Sequence, residues 1–277
     1  MGNWFAGFLK SNNYKVLVCD RNKQAALICS RRLSVEFVNN CLTAARRADI
    51  IVLAIPTKET NSMLMRLEGK IRKGTCIVEI SSVKAPVQRT IRSLQKNGVP
   101  VLSIHPMFGS GTKTIRGRSI LVVSRPHHRE AERFLSILRR KGARVISCSA
   151  GRQDTLTSTL IALPHLMNIS LIETLRRLGL SLNELNTISG TTFKLQSLIA
   201  EAIYHEDTGN EISILVNSKE SVLRAYKQEV EGILSAVRTR PERLSTILSA
   251  GRRLVEADRR YSDSYERFNA AVQAALI

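Results

Sequence analysis

The chain has 277 residues, 43% of them hydrophobic and 5% aromatic, which allows two modest domains and excludes many more. Its apolar runs, such as IIVLAIP at 50–56, stop short of the roughly 20 residues a membrane span needs, and the first residues lack the basic-then-apolar pattern of a secretory signal. A formal net charge of +19 raises nucleic-acid binding as a possibility, but the basic residues fall in scattered pairs (Arg31-Arg32, Arg46-Arg47, Arg139-Arg140, Arg176-Arg177, Arg252-Arg253, Arg259-Arg260) without a helix-turn-helix, finger or RNP-type pattern, so a solvated face is the better reading.

In chain order, Met1-Gly2 leads into an amphipathic stretch at 4–9, then a β-branched run at 14–20 ends in Asp20. Further apolar runs at 50–55, 76–80, 99–104, 119–123 and 144–148 predict strands. Stretches at 24–29, 57–67, 86–95 and 128–141 have helical period and fall between them. This alternation predicts a Rossmann-type α/β domain, a largely parallel sheet with helices on both faces. From Asp154 onward the pattern is all helical, with breaks near Gly179, Ser189-Gly190, Gly209 and Pro241. The expected domains are 1–149 and 150–277. Leu160, Leu163, Leu171, Leu175, Leu178 and Leu182 give the second domain an apolar stripe that predicts homodimerisation.

The cysteines at 19, 29, 41, 76 and 148 include no CxxC pair. Cys19 and Cys76 sit in predicted strands, so the cysteines read as small buried hydrophobes rather than ligands or disulfide partners, in a reducing cytosol. No His/Cys/Asp/Glu cluster has metal-ligand spacing, so no metal is expected.

A dinucleotide unit needs a strand, a glycine-rich turn, a helix, a second strand and an acid at its end. The turn brings phosphates to a helix N-terminus, and the acid takes the ribose hydroxyls. This sequence enters the unit midway: Gly2 stands as the last glycine and Asp20 as the terminal acid. The expectation is that it starts downstream of the true first strand. Asp20 favours NAD over NADP, whereas Arg21 could accept a 2′-phosphate. VLSIHPMFGSGT at 101–112 puts His105 where a buried strand opens into a glycine-bounded loop. Ser82 follows another predicted strand; the alternative reading makes it the cap of the helix that starts near Pro86.

Four segments in this order, MGNWFAGFLKSNNYKVLVCDRN, VEISSVKAP, VLSIHPMFGSGT and ALPHLMNI, resemble the prephenate dehydrogenases, NAD-dependent enzymes of tyrosine biosynthesis. The resemblance runs to about residue 268 and is strongest over 49–112. It implies oxidative decarboxylation of prephenate, with His105 as the catalytic histidine and Ser82 as the active-site serine, followed by Lys84. It also implies that Ala54 and Pro56 lie beside the nicotinamide ribose, with Ser81, Gly2, Asp20 and Arg21 completing the cofactor set. His165 from ALPH becomes a substrate-binding histidine, and Lys194 stands where the family carries a substrate-binding arginine. Asp154 matches a family acid, but the histidine that usually precedes it is Gln153 here. The active site is expected between the two domains. Arogenate dehydrogenase and a non-catalytic or nucleic-acid-binding derivative are the rival readings.

Overall fold

The computed structural model describes residues 1–205 and 208–275. It divides into two units, Met1–Thr157 and Ser158–Ile277. The sequence reading divides the chain at 149/150; the helix Ala150–Thr157 stays with the first unit because its polar side chains are tied to that unit's strand ends.

The first unit runs α1 (Gly2–Lys10), β1 (Leu17–Val18), α2 (Lys23–Leu33), β2 (Glu36–Phe37), α3 (Cys41–Arg47), β3 (Ile50–Leu53), α4 (Thr57–Leu67), β4 (Cys76–Glu79), α5 (Ala85–Lys96), β5 (Val101–Pro106), β6 (Ser119–Ser124), α6 (Arg129–Arg140), β7 (Arg144–Ser147) and α7 (Ala150–Thr157). The strands form two sheets. β1 and β2 pair in parallel, and β3-β4-β5-β6-β7 form a five-stranded sheet in which only the β5–β6 pairing is antiparallel. Among the described residues no strand joins β1 to β3, so each is an edge. β1 is accordingly short, two residues where the apolar run spans seven.

Period-two alternation sorts the core onto the two faces of the larger sheet. Cys76, Val78, Ile80, Leu102 and Ile104 point to one face with Phe5 of α1 and Phe134, Leu135 and Leu138 of α6. Ile77, Leu53 and Val101 point to the other, with Leu64 and Leu67 of α4 and Val87, Ile91 and Leu94 of α5. After α6 ends at Arg140, Gly142 with a φ of +85° turns the chain into β7; a Cβ there would also stand 3.3 Å from the Arg116 backbone.

One cysteine expectation is corrected. Cys19 and Cys41 form a disulfide, with Cα atoms 5.5 Å apart. The parallel β1–β2 pairing sets the end of β1 beside the start of α3, which sequence spacing does not reveal. Cys29 and Cys76 are buried free thiols, and burial pushes the Cys76 thiol up to about 12, so it behaves as a small hydrophobe.

The second unit continues from α7 through a π-helical turn, Ser158–Ala162, into α8 (Leu163–Arg177). Then come α9 (Leu182–Ile188), α10 (Thr191–Tyr204), α11 (Thr208–Val216), α12 (Glu220–Thr239), α13 (Glu242–Glu256) and α14 (Ser264–Ala275). Breaks fall near Gly179, Ser189-Gly190 and Pro241 as expected, and the one expected near Gly209 falls just before it, α10 ending at Tyr204 and α11 starting at Thr208; 217–219 and 257–263 interrupt the helices as well. The run Ala150–Arg177 is long and apolar enough to cross a bilayer by length and composition alone. It nevertheless buries Gln153, Asp154, Thr157, Ser158 and Asn168, polar groups that a hydrocarbon environment would penalise, so it reads as a packed helix of the fold. Leu160 and Met167 on the same run, and Leu178 just past its end, are exposed.

Candidate active site

The nucleotide end of the first unit collects at strand ends. α1 starts at Gly2, where an added Cβ would stand 3.6 Å from the Ala54 Cβ, so the helix start abuts the segment leaving β3. Ala54 and Pro56 carry the chain from β3 into α4. Asp20 follows β1 and is exposed; its Oδ1 accepts from the Asn22 N–H at 2.8 Å, which fixes the carboxylate on the turn. Arg21 donates to Glu59 Oε1 at 2.6 Å, so its guanidinium is already engaged by a carboxylate. This set fits the adenosine side of a dinucleotide: a helix N-terminus, an acid on a strand-end turn, and a cation held off by a second acid.

The chemical end is built under β4 and β5. A register shift between Ser103 and Ile104 re-aims β5 immediately before His105. His105 is buried, with Nδ1 2.8 Å from Gln153 Nε2 and 3.4 Å from Thr157 Oγ1. Both partners lie on α7, one helical turn apart, and both also donate to the Ser82 carbonyl oxygen. Beneath the histidine, the Lys84 ammonium donates to Glu79 Oε2 at 2.8 Å and to the Ile104 carbonyl at 2.7 Å. Glu79 also accepts from the Ser81 N–H and the Ser103 hydroxyl. Lys84 and Glu79 have no exposed surface at all. Burial pushes the Lys84 ammonium below its ordinary range, partly offset by Glu79. Burial first, and the Lys84 charge second, hold the His105 imidazole down at about 3, so the ring is neutral throughout the physiological range.

Asp154 has a defined task. Its two carboxylate oxygens accept from the Lys84 and Ala85 N–H groups at 2.7 and 3.0 Å, capping the N-terminus of α5 from α7. Asp154 therefore fills the capping role that the alternative reading gave to Ser82. Ser82 is half-buried, next to His105 in the network through its carbonyl. Ser81 is buried, with its hydroxyl 3.2 Å from Thr60 Oγ1, so it faces α4 and not open space.

Trp4 Nε1 donates to the Thr112 carbonyl at 2.7 Å, and the Trp4 ring lies 5.0 Å from Phe108. The loop that follows His105 is thus fastened to the helix that starts at Gly2.

In the second unit, His165 Nδ1 lies 2.5 Å from Glu211 Oε2, a pair joining α8 to α11. Gln196 of α10 donates to Asn168 of α8 at 2.6 Å, and Lys194 sits half-buried two residues earlier on α10. Of the residues singled out in the sequence, the first unit thus gathers His105, Ser82 and Lys84 into one network, and the second places His165 and Lys194 on two packed helices. Sequence reasoning missed Gln153, Thr157, Glu79, Glu211 and Trp4 as parts of these arrangements. Glu79 carried a signal, an acid in an otherwise apolar strand; the Gln153 and Thr157 signal was their one-turn spacing.

A sheet with this order and a helix starting on glycine are those of a Rossmann-type nucleotide-binding domain, with a buried neutral histidine at one strand end. Residues 5–122, somewhat under half of the chain, match the family model described as prephenate dehydrogenase, nucleotide-binding domain. A protein of Methanocaldococcus jannaschii named probable arogenate/prephenate dehydrogenase is 28% identical over 207 residues, 73% of this chain and 46% of that protein. The chain spans about half the length of the curated relatives it matches, between 46% and 50% of each. A Corynebacterium glutamicum protein solved as a candidate prephenate dehydrogenase superposes with a TM-score of 0.71 at 15% identity, covering 99% of this chain and 93% of that one. Prephenate dehydrogenase from Aquifex aeolicus, solved with hydroxyphenyl propionate and NAD+, gives 0.62 at 16% identity, covering 92% and 94%.

The buried neutral histidine sets a pH dependence. Its folded pKa lies below the roughly 6.5 of an unfolded histidine, so between the two values the unfolded chain binds the extra proton. Stability should therefore be complete above about pH 6.5 and fall as pH is lowered, by up to about 1.4 kcal/mol per pH unit. Urea denaturation at pH 7 and pH 5 should show this loss in the native chain and a smaller one in His105→Asn. Equal losses would mean that His105 is accessible to protons in the folded state.

Proposed function

We propose that this chain catalyses the NAD-dependent oxidative decarboxylation of prephenate to 4-hydroxyphenylpyruvate. The observation that carries the reading is the buried, neutral His105 at the carboxyl end of β5, inside the domain that matches the family. When bound, NAD accepts the hydride from the carbinol carbon of the substrate. His105 takes the proton of the same hydroxyl, a task for an imidazole that is unprotonated at neutral pH. Ser82, beside it, holds the hydroxyl or the nicotinamide amide. The ring carboxylate then leaves as carbon dioxide, its bonding electrons complete the aromatic ring, and the histidine proton returns to the phenolic oxygen.

The remaining residues bind and orient. His165, held by Glu211, and Lys194 serve the substrate carboxylates; a lysine in place of an arginine keeps the charge and gives up the two-pronged hydrogen bond. Prephenate is favoured over arogenate because a cation at Lys194 suits a side chain that carries a carboxylate without an amine. The net charge of +19 helps to capture a dianion. Leu160 and Leu178, exposed members of the leucine stripe, and the exposed Met167 support a homodimer through the second unit. Sedimentation velocity should give a dimer at micromolar concentration, and a monomer there would refute it.

Two substitutions test the chemistry. His105→Asn should lower kcat about 10²–10⁴-fold with little change in the substrate KM, as expected for a lost general base; near-normal turnover would remove His105 from the reaction. The same assay with arogenate decides between the two substrates. Asp20 on the turn, with Arg21 drawn to Glu59, should make kcat/KM higher for NAD than for NADP, and Asp20→Ala should narrow the gap. An intrinsic NADP preference would show instead that Arg21 leaves Glu59 for the 2′-phosphate.

A further inference from the structure

Gln153 is fully buried, and its amide nitrogen lies 2.8 Å from each of three atoms: the Ser82 carbonyl oxygen, Nδ1 of His105 and Oγ1 of Thr157. An amide nitrogen has two protons to give, and a carbonyl oxygen can only accept, so one N–H is committed to Ser82. The reverse amide orientation would bring Oε1 against that carbonyl oxygen, two acceptors with no proton between them. The second N–H goes to His105 or to Thr157. In the first case Nδ1 accepts directly. In the second, Thr157 can pass its single proton to the Ser82 carbonyl at 3.1 Å or to Nδ1 at 3.4 Å. A proton on Nδ1 would face the Gln153 NH2 group at 2.8 Å. Every arrangement without that clash leaves Nδ1 unprotonated, and a neutral imidazole then carries its proton on Nε2.

We propose that Gln153 is a positioning residue that holds neutral His105 in the tautomer protonated on Nε2, so that the ring must exchange tautomers before it can take the substrate hydroxyl proton. The proposal rests on the dehydrogenase reading for its kinetic part only. The exchange is neutral overall: Nε2 gives its proton to water, and water gives one to Nδ1. Gln153 Oε1, buried and without a hydrogen-bond partner among the described residues, is the acceptor that a turn of the amide would present to the new Nδ1–H. That turn costs the bond to Ser82, which keeps the exchanged state sparsely populated. The Nε2 lone pair then accepts the hydroxyl proton and the ring becomes an imidazolium with protons on both nitrogens. Turnover is reduced by the small fraction of enzyme in the competent tautomer.

The test combines nitrogen NMR of protein labelled at histidine with steady-state kinetics, using His105→Asn to assign the resonances. At neutral pH the native protein should give a pyridine-like Nδ1 and a pyrrole-like Nε2 for His105. Gln153→Glu, whose carboxylate can only accept, should invert that pattern and raise kcat about tenfold with the NAD KM unchanged. Gln153→Ala, which removes both donor and acceptor, should give a mixture of the two patterns and serves if the glutamate variant does not fold. A pyrrole-like Nδ1 in the native protein overturns the proposal, and so does an inverted pattern in Gln153→Glu with kcat unchanged. If neither prephenate nor arogenate is oxidised by any form while the NMR patterns are as expected, the tautomer assignment stands and the dehydrogenase reading fails.

Discussion

The site depends on one ion pair with no access to water. The Lys84 ammonium lies between Glu79 and the carbonyl of Ile104, where the strand register shifts. Neither charge could be buried alone: removing one partner of such a pair costs about 3–5 kcal/mol, because the other is left uncompensated. Here both charges are well supplied with hydrogen bonds, Ser81 and Ser103 donating to Glu79 beside the ammonium and Ile104 accepting from Lys84. The pair fixes the loop after β4 against β5, and so fixes Ser82 against His105. Asp154 then fastens α7 onto the same loop by capping α5, which delivers Gln153 and Thr157 to the histidine. Positions far apart in the chain, 79 to 84, 103 to 105 and 153 to 157, are thus held by charge-assisted hydrogen bonds more than by apolar packing.

How much of this could be read from the residues depends on range. The strand–helix alternation was legible because each apolar run and each amphipathic stretch is a local signal; α4 occupies the very residues its period indicated. The one antiparallel pairing is also local in origin. Residues 107–118 between β5 and β6 contain no helix, and a parallel return generally needs one. The two-residue β2 and the short α3 were invisible because so few residues establish no period. The Cys19–Cys41 bond was misread because it needs the β1–β2 pairing to bring the two together.

The candidate site divides in the same way. His105 and Ser82 were found because they stand at strand ends, which are recognisable in sequence. What surrounds them was not: Gln153 registered only as a departure from the family pattern, and Asp154 as a match without a task. Both draw their meaning from groups about 50 to 70 positions earlier in the chain. Glu211 behind His165 is the same kind of omission, 46 positions away. The arginine pairs went the other way. All six are on the surface, and the exposed ion pairs nearby, such as Arg47 with Glu36, hold little energy in water.

Trp4 is the only tryptophan in the chain. It sits two residues into the helix that starts at Gly2, and it grips the loop after His105 through the Thr112 carbonyl and the Phe108 ring. An indole so placed is an optical reporter at a single address. Its emission answers to the polarity and hydrogen bonding of the junction between the helix that starts at Gly2 and the loop after His105, with no other indole in the background. The protein therefore carries its own dye at the seam between that helix and that loop, and any change in how the two are fastened alters its light.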